Sequence, residues 1–134
     1  MTLTAIRQGI AANLSTISGL RTSWFVPDNP SPPIAIVVPD RVDYDVSFAR
    51  GSDTFYVNVL LIGGRINERS AQTSLDAFLD STGSSSVKAA IESDKTLGGA
   101  AHSVRVTDWS GYGPLAIGDA QYLTVTIRVM VNAI

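Results

Sequence analysis

Residues 54–62 read T-F-Y-V-N-V-L-L-I, and we expect the rest of the fold to be arranged around this stretch. It contains no Gly, Pro or charged residue and is rich in β-branched and aromatic side chains, which is typical of a buried strand. Side chains alternate between the two faces of a strand. One face would carry Phe55, Val57, Val59 and Leu61, and the other Tyr56, Leu60 and Ile62. Because both sets are apolar, the pattern predicts a central strand that is covered on both faces.

The residues before this stretch predict its partner strand. From Val42 to Ala49 the sequence alternates as V-D-Y-D-V-S-F-A, which indicates a strand with one buried face and one wet face. Residues 50–53, R-G-S-D, form a short polar link in which the glycine suits a turn. The two runs and their link therefore predict a long β-hairpin.

The N-terminal part of the chain predicts a helix and two further strands. Apolar residues recur at spacings of three and four, which indicates an amphipathic helix; they are Leu3, Ile6, Ile10, Leu14 and Ile17. Gly19 is suited to end this helix. Residues 22–26 predict a short strand, and after a proline-rich link residues 34–38 predict another, which we expect Pro39 to end.

The C-terminal part predicts two helices followed by two strands. The first helix would begin near Asn67 and bury Ala71, Leu75, Phe78 and Leu79. A short helix would follow Ser84–Ser86, and residues 103–109 predict a strand. Residues 108–119 are rich in Gly and aromatic residues and predict a loop, whereas residues 121–132 alternate as a long last strand.

This order of elements predicts an α+β fold in one domain that spans all 134 residues. We expect an antiparallel sheet with a long β-hairpin, packed by the N-terminal helix and one or two central helices.

The composition narrows the function classes. With 10 Lys+Arg against 12 Asp+Glu and no basic stripe, the chain lacks the pattern of a sequence-specific nucleic-acid binder. It has no apolar run of 18 residues, which argues against a membrane span, and no cysteine for a disulfide or thiolate site. Only 16% of the residues are charged and 45% are hydrophobic. This is consistent with a surface that copies of itself or a partner cover, and equally with a surface rich in Ser and Thr.

Catalytic, cofactor and metal motifs are not recognisable in the sequence. His102 is the only histidine, and no serine lies in a G-x-S-x-G elbow. Gly111, Gly113 and Ala116 spell G-x-G-x-x-A, but a strand rather than a helix is predicted to follow them, so a dinucleotide site is not expected. We therefore expect a protein that is not an enzyme and that uses no cofactor.

Four charged residues of the predicted hairpin are candidates for an interface. Asp43 and Asp45 would project from one face about 7 Å apart. With Asp40 and Asp53 nearby, they could form a cation site, an acid–base pair, a solvated strand face, or an acidic surface that faces another subunit or a channel. Arg50 and Asp53 lie at the predicted tip, where they could dock on a neighbour as hydrogen-bond donor and acceptor. The interface hypothesis therefore comprises Asp43, Asp45, Arg50 and Asp53.

The succession of elements resembles a known family. A Pro-rich link follows the N-terminal helix, and V-x-Y-x-V-x-F-x-R-G-S-D spans residues 42–53. An L-D-A-F-L helix, a G-Y-G segment and a long alternating last strand come later. In this order the chain resembles the small tail-terminator (tail-completion) proteins of long-tailed bacteriophages and their neck-protein relatives.

The resemblance implies an α+β subunit of a hexameric ring that caps the tail tube and joins it to the head. The implied partners are other copies of the chain, the tail-tube protein and a head–tail connector or neck protein, with DNA passing through the ring. The implied location is the tail or neck of the virion, after assembly in the host cytoplasm. No catalytic residue is implied.

Other functions remain open at this point. The chain could be another head–tail connector or neck component, or a soluble dimeric adaptor. It could also be a small enzyme or a small non-viral ligand-binding α+β domain that uses the aspartate cluster or the aromatic segment around Trp109 and Tyr112.

Overall fold

A computed structural model describes residues 3–17, 19–23, 33–44, 53–65, 69–99, 101, 103–117 and 120–132. The elements are helix α1 (Leu3–Leu14), strands β1 (Arg21–Ser23), β2 (Ile34–Asp43) and β3 (Thr54–Arg65), helices α2 (Arg69–Leu79) and α3 (Val87–Ile91), a 3-10 helix (Leu97–Gly99), and strands β4 (Ser103–Ile117) and β5 (Ala120–Asn132).

The five strands form one sheet in the order β1-β2-β3-β5-β4. All neighbours are antiparallel except β1, which runs parallel to β2 over three residues. β3 lies in the middle of the sheet, as its uncharged, apolar sequence predicts. The predicted α+β fold with an antiparallel sheet, a long hairpin and packed helices is confirmed.

The main core lies between the helices and one face of the sheet. Val57, Val59 and Leu61 of β3 are buried there, and they pack with Leu75 of α2 and with apolar residues of the other two helices. Gly63 allows α2 to approach β3 closely, because a Cβ at this position would lie 2.6 Å from Cγ of Leu75. The helices therefore cover the face of β3 that carries Phe55, Val57, Val59 and Leu61.

On the opposite face of the sheet, a buried apolar cluster lies at one end. Ile34, Ile36, Ile62 and Tyr122 form a second, smaller buried cluster. Among the described residues this cluster has no helical member. Further along the same face the strands carry polar residues such as Arg128, which is exposed. The expectation that β3 is covered on both faces therefore holds at its Ile62 end.

The first arm of the predicted hairpin differs from the expectation. Pro39 does not end a strand: β2 continues to Asp43, which pairs with Thr54, and the register shifts between Pro39 and Arg41. β1 pairs only with residues 34–36 of β2, so no described strand needs a hydrogen bond from Pro39 on that side. A bulge therefore absorbs the proline. Residues 45–52, which include the predicted continuation of the arm and its tip, lie outside the described residues.

The predicted loop at residues 108–119 is also wrong as far as Ile117. β4 extends to Ile117, with register shifts between Val106 and Asp108 and between Ser110 and Gly113. Gly111 has a φ of +72°, which glycine adopts without strain, and it lies within the second shift. Because β4 is at the edge of the sheet, Pro114 fits without costing a ladder hydrogen bond.

The predicted helices are present, with one boundary shifted. α1 ends at Leu14, and Ile17 is buried in the turn that follows rather than in the helix. α3 is capped by Ser86, whose Oγ accepts a hydrogen bond from the Ala89 amide at 3.1 Å. The predicted cap Asn67 lies outside the described residues.

Candidate functional site

The acidic end of the β2–β3 hairpin is the first candidate surface. Asp43 pairs with Thr54, so Asp43 and Asp53 lie at the same end of the hairpin. Asp43 Oδ1 lies 3.2 Å from Nη1 of Arg41, whose guanidinium carbon lies 4.1 Å from the centre of the Tyr56 ring. The charge of Asp43 is therefore partly balanced within its own strand.

Two of the four predicted interface residues, Asp43 and Asp53, lie among the described residues. The structure places Asp43 at the end of β2 and Asp53 directly before β3, whereas Asp45 and Arg50 lie outside the described residues. The predicted common face of Asp43 and Asp45, and the docking role of Arg50 and Asp53, stay predictions.

Exposed apolar side chains lie beside this acidic end. Tyr44 is 72% exposed and Leu3 is 37% exposed. Together with Val42 and Phe55 they line a shallow hollow of about 390 Å³. Large apolar side chains that share one exposed surface are typical of interaction sites.

A second surface lies at the other edge of the sheet, around the bulged part of β4. Trp109 is 49% exposed, and its ring centre lies 6.1 Å from that of Tyr112. The Tyr112 hydroxyl donates a hydrogen bond of 3.0 Å to the Asp76 carboxylate on α2. Burial raises the pKa of Tyr112, and the contact with Asp76 raises it further. Tyr112 thus ties β4 to α2, and Trp109 stays available on the surface.

Trp109 forms one wall of a groove between β4 and the helices. The groove has a volume of about 340 Å³. Phe78 and Leu79, at the end of α2, form part of its apolar lining, and Lys88 of α3 lies at its rim. The sequence pattern predicts an aromatic loop at Trp109 but no groove, because the walls come from four elements that are separated in sequence: α2, α3, β4 and β5.

Glu92, directly after α3, binds the edge strand β4. Its carboxylate accepts a hydrogen bond of 3.0 Å from the Val106 amide and one of 2.7 Å from Lys88. Burial raises the pKa of Glu92, but the bonds from Lys88 and Val106 outweigh burial, so the pKa lies below its ordinary value. Because the Val106 amide donates to Glu92, it is not available for pairing with another strand on the outer side of β4.

Beyond Val106, no described strand pairs with the outer side of β4. The edge strand continues to Ile117. Asp108 and Arg128 form an exposed ion pair of 3.3 Å between β4 and β5, and Arg128 also donates a hydrogen bond of 2.9 Å to Ser110. These contacts hold the bulged part of β4 to its only described neighbour.

The described residues contain no group of three His, Cys, Asp or Glu side chains that could hold a metal ion. Gly111, Gly113 and Ala116, which match G-x-G-x-x-A, lie within β4 and not between a strand and a helix. His102 lies outside the described residues.

Comparisons with known proteins give no identification. No protein-family model matches the chain, and a search of curated proteins found no match. Within the described ranges no helix is long and apolar enough to cross a membrane.

Proposed function

We propose that this protein is a structural virion protein that forms a ring of six copies, caps the tail tube of a long-tailed bacteriophage and joins it to the neck. The proposal rests on the resemblance of the whole order of elements to tail-terminator proteins. The α+β fold, which the resemblance also implies, supports it.

One structural observation carries the proposal: the two exposed aromatic surfaces lie near opposite edges of the sheet. Tyr44 follows β2, whereas Trp109 lies on β4, three strands away in the order β2-β3-β5-β4. At a strand spacing of about 4.8 Å, these strands are about 14 Å apart. A subunit with two different contact surfaces on opposite sides can bind head to tail, and such contacts close into a ring when the rotation between subunits allows it.

Binding of a small ligand is the alternative that the groove beside β4 favours. Its volume of about 340 Å³ lies at the lower end of the range for ligand pockets, roughly 300–1,000 Å³. We assign the groove to a protein contact because it adjoins an edge strand whose outer backbone groups suit strand pairing.

Isolated tail tubes test the proposed function directly. Purified protein added to tubes that lack their terminal ring should bind at one end only, which particle images would record as an added ring. Binding along the whole tube, or no binding at either end, would contradict the proposal. The same images with the neck protein added should show it joining only the capped ends.

A further inference from the structure

We propose that the groove beside β4 binds a second copy of this chain. This copy inserts the arm that begins at Arg41 and includes Tyr44. The arm of one subunit would lie along the outer edge of β4 of the next subunit. This inference rests on the proposed ring and names the surfaces that meet in it.

The groove provides an apolar binding surface at the edge of the sheet. Phe78 and Leu79 form its floor with Ile127, and Trp109 stands at its side with half of its surface exposed. Aromatic residues with large exposed areas are enriched in the centres of protein interfaces, because their burial contributes much of the binding energy. An aromatic side chain from a partner would cover Trp109 and fill this groove.

The backbone of β4 adjoins the groove and sets where a partner strand can pair. The Val106 amide already donates its hydrogen bond to Glu92, so pairing with a partner strand would begin after Val106. From Thr107 to Ile117 no described strand lies on the outer side of β4. An extended segment bound there would place alternate side chains towards the groove, as in recognition by strand addition.

Charge favours an acidic segment as the occupant. Lys88, Lys95 and Arg105 line a second hollow of about 420 Å³ at the same edge, and Glu92 is the one acidic residue in its lining. Arg105 is exposed. A segment that carries carboxylates beside its apolar residues would match both the cationic rim and the apolar groove.

The arm of this chain has that pattern. Asp43 and Tyr44 are adjacent, and Tyr44 is 72% exposed. The sequence continues the alternation with Asp45, Val46 and Phe48. From Asp40 to Asp45 the sequence has three aspartates and one arginine, Arg41, which pairs with Asp43, so a net negative charge remains. A second copy of the chain therefore supplies an occupant with carboxylates beside an exposed aromatic side chain.

Photo-cross-linking tests the contact. Tyr44 is replaced with the photoreactive aromatic p-benzoylphenylalanine, which retains an aromatic ring at this position. The variant is mixed with ¹⁵N-labelled wild-type protein, so that only links between copies join labelled to unlabelled peptides. We expect the link in the peptides that contain Phe78 or Trp109. A matched variant with the same residue at Gln8, which is exposed on α1, should not link to those peptides.

A charge variant gives a second readout. Arg105→Glu should remove most of the cross-linked product, whereas Arg69→Glu, at an exposed position on α2, should leave it unchanged. Equal yields from both variants, or links from Tyr44 to other peptides, would overturn the docking inference.

Native mass spectrometry of the same samples separates this inference from the proposed function. Rings without a link to the groove would overturn the docking inference and leave the proposed function standing. A link without rings would support the docking and contradict the ring. The absence of both would contradict both.

Discussion

The buried side chain of Asn13 joins two parts of the chain that are far apart in sequence. Its Nδ2 donates hydrogen bonds of 2.9 Å to the Ile91 carbonyl and 3.1 Å to the Asp94 carbonyl. Asn13→Ala would leave both carbonyls without this donor, so we expect a loss of about 1–3 kcal/mol in the free energy of unfolding, measured with urea. Ser15→Ala, at an exposed position in the next turn, should change it by less than about 0.5 kcal/mol. Equal effects of the two substitutions would contradict this account.

Replacing Gly9 with Ala should change the stability in the opposite direction from the same substitution in an open helix. In an open helix Gly→Ala stabilises by about 1 kcal/mol. At position 9 a Cβ would lie 2.7 Å from Cβ of Leu97 and 3.1 Å from its carbonyl oxygen. We therefore expect Gly9→Ala to lower the free energy of unfolding by about 1–3 kcal/mol in the same urea assay. Gln8→Ala, exposed on the same helix, should be close to neutral, and a stabilised Gly9→Ala protein would show that α1 does not pack against Leu97.

Gly9 also shows what a local sequence pattern cannot reveal about a single residue. The spacing of apolar residues predicts the helix and makes Gly9 a local cost. Only the fold brings Leu97, which is distant in sequence, against Gly9. Because a Cβ at position 9 would collide with Leu97, the glycine that costs helix stability is required for this close packing.

At the scale of elements, Glu92 links α3 to β4 through a bond that depends on pH. Its pKa is lower in the folded protein than the ordinary value of 4.5. A lowered pKa stabilises the folded state above the unfolded value, and the stabilisation is lost as the pH falls through the folded pKa.

We therefore expect Glu92→Gln to cost about 1 kcal/mol near neutral pH, and this difference from wild type should shrink as the pH falls below about 4.5. Urea unfolding over a pH series measures it. Asp80→Asn, which changes an exposed carboxyl group, serves as the control. A difference that stays constant across the series would exclude the carboxylate bond to Val106 as its source.

The element boundaries show where sequence patterns are reliable. Runs with a clear period, such as residues 54–62 and 121–132, became strands close to their predicted limits. Pro39 was expected to end a strand but lies within β2, and Pro114 lies within β4, because a proline ends a central strand but is tolerated at an edge or a bulge. Which strand lies at an edge is a property of the sheet and is not visible in a local pattern.

At the scale of the whole molecule, the acidic hairpin was partly predictable and the groove was not. Alternation in the sequence was enough to place Asp43 on a strand and Asp53 beside its partner. The groove needs Phe78, Lys88 and Trp109, which come together only when α2, α3 and β4 pack. A tryptophan in a segment with few charges was its only sequence signal.

Assembly in solution tests the central claim most directly. Native mass spectrometry at tens of micromolar protein, with and without tail tubes, measures the number of copies in each complex. We predict closed rings, because two different surfaces on opposite sides of one subunit favour head-to-tail closure, and we expect six copies because the resemblance to tail-terminator proteins implies that number. Monomers alone under both conditions, or dimers that do not grow further, would contradict the claim that this chain forms a ring.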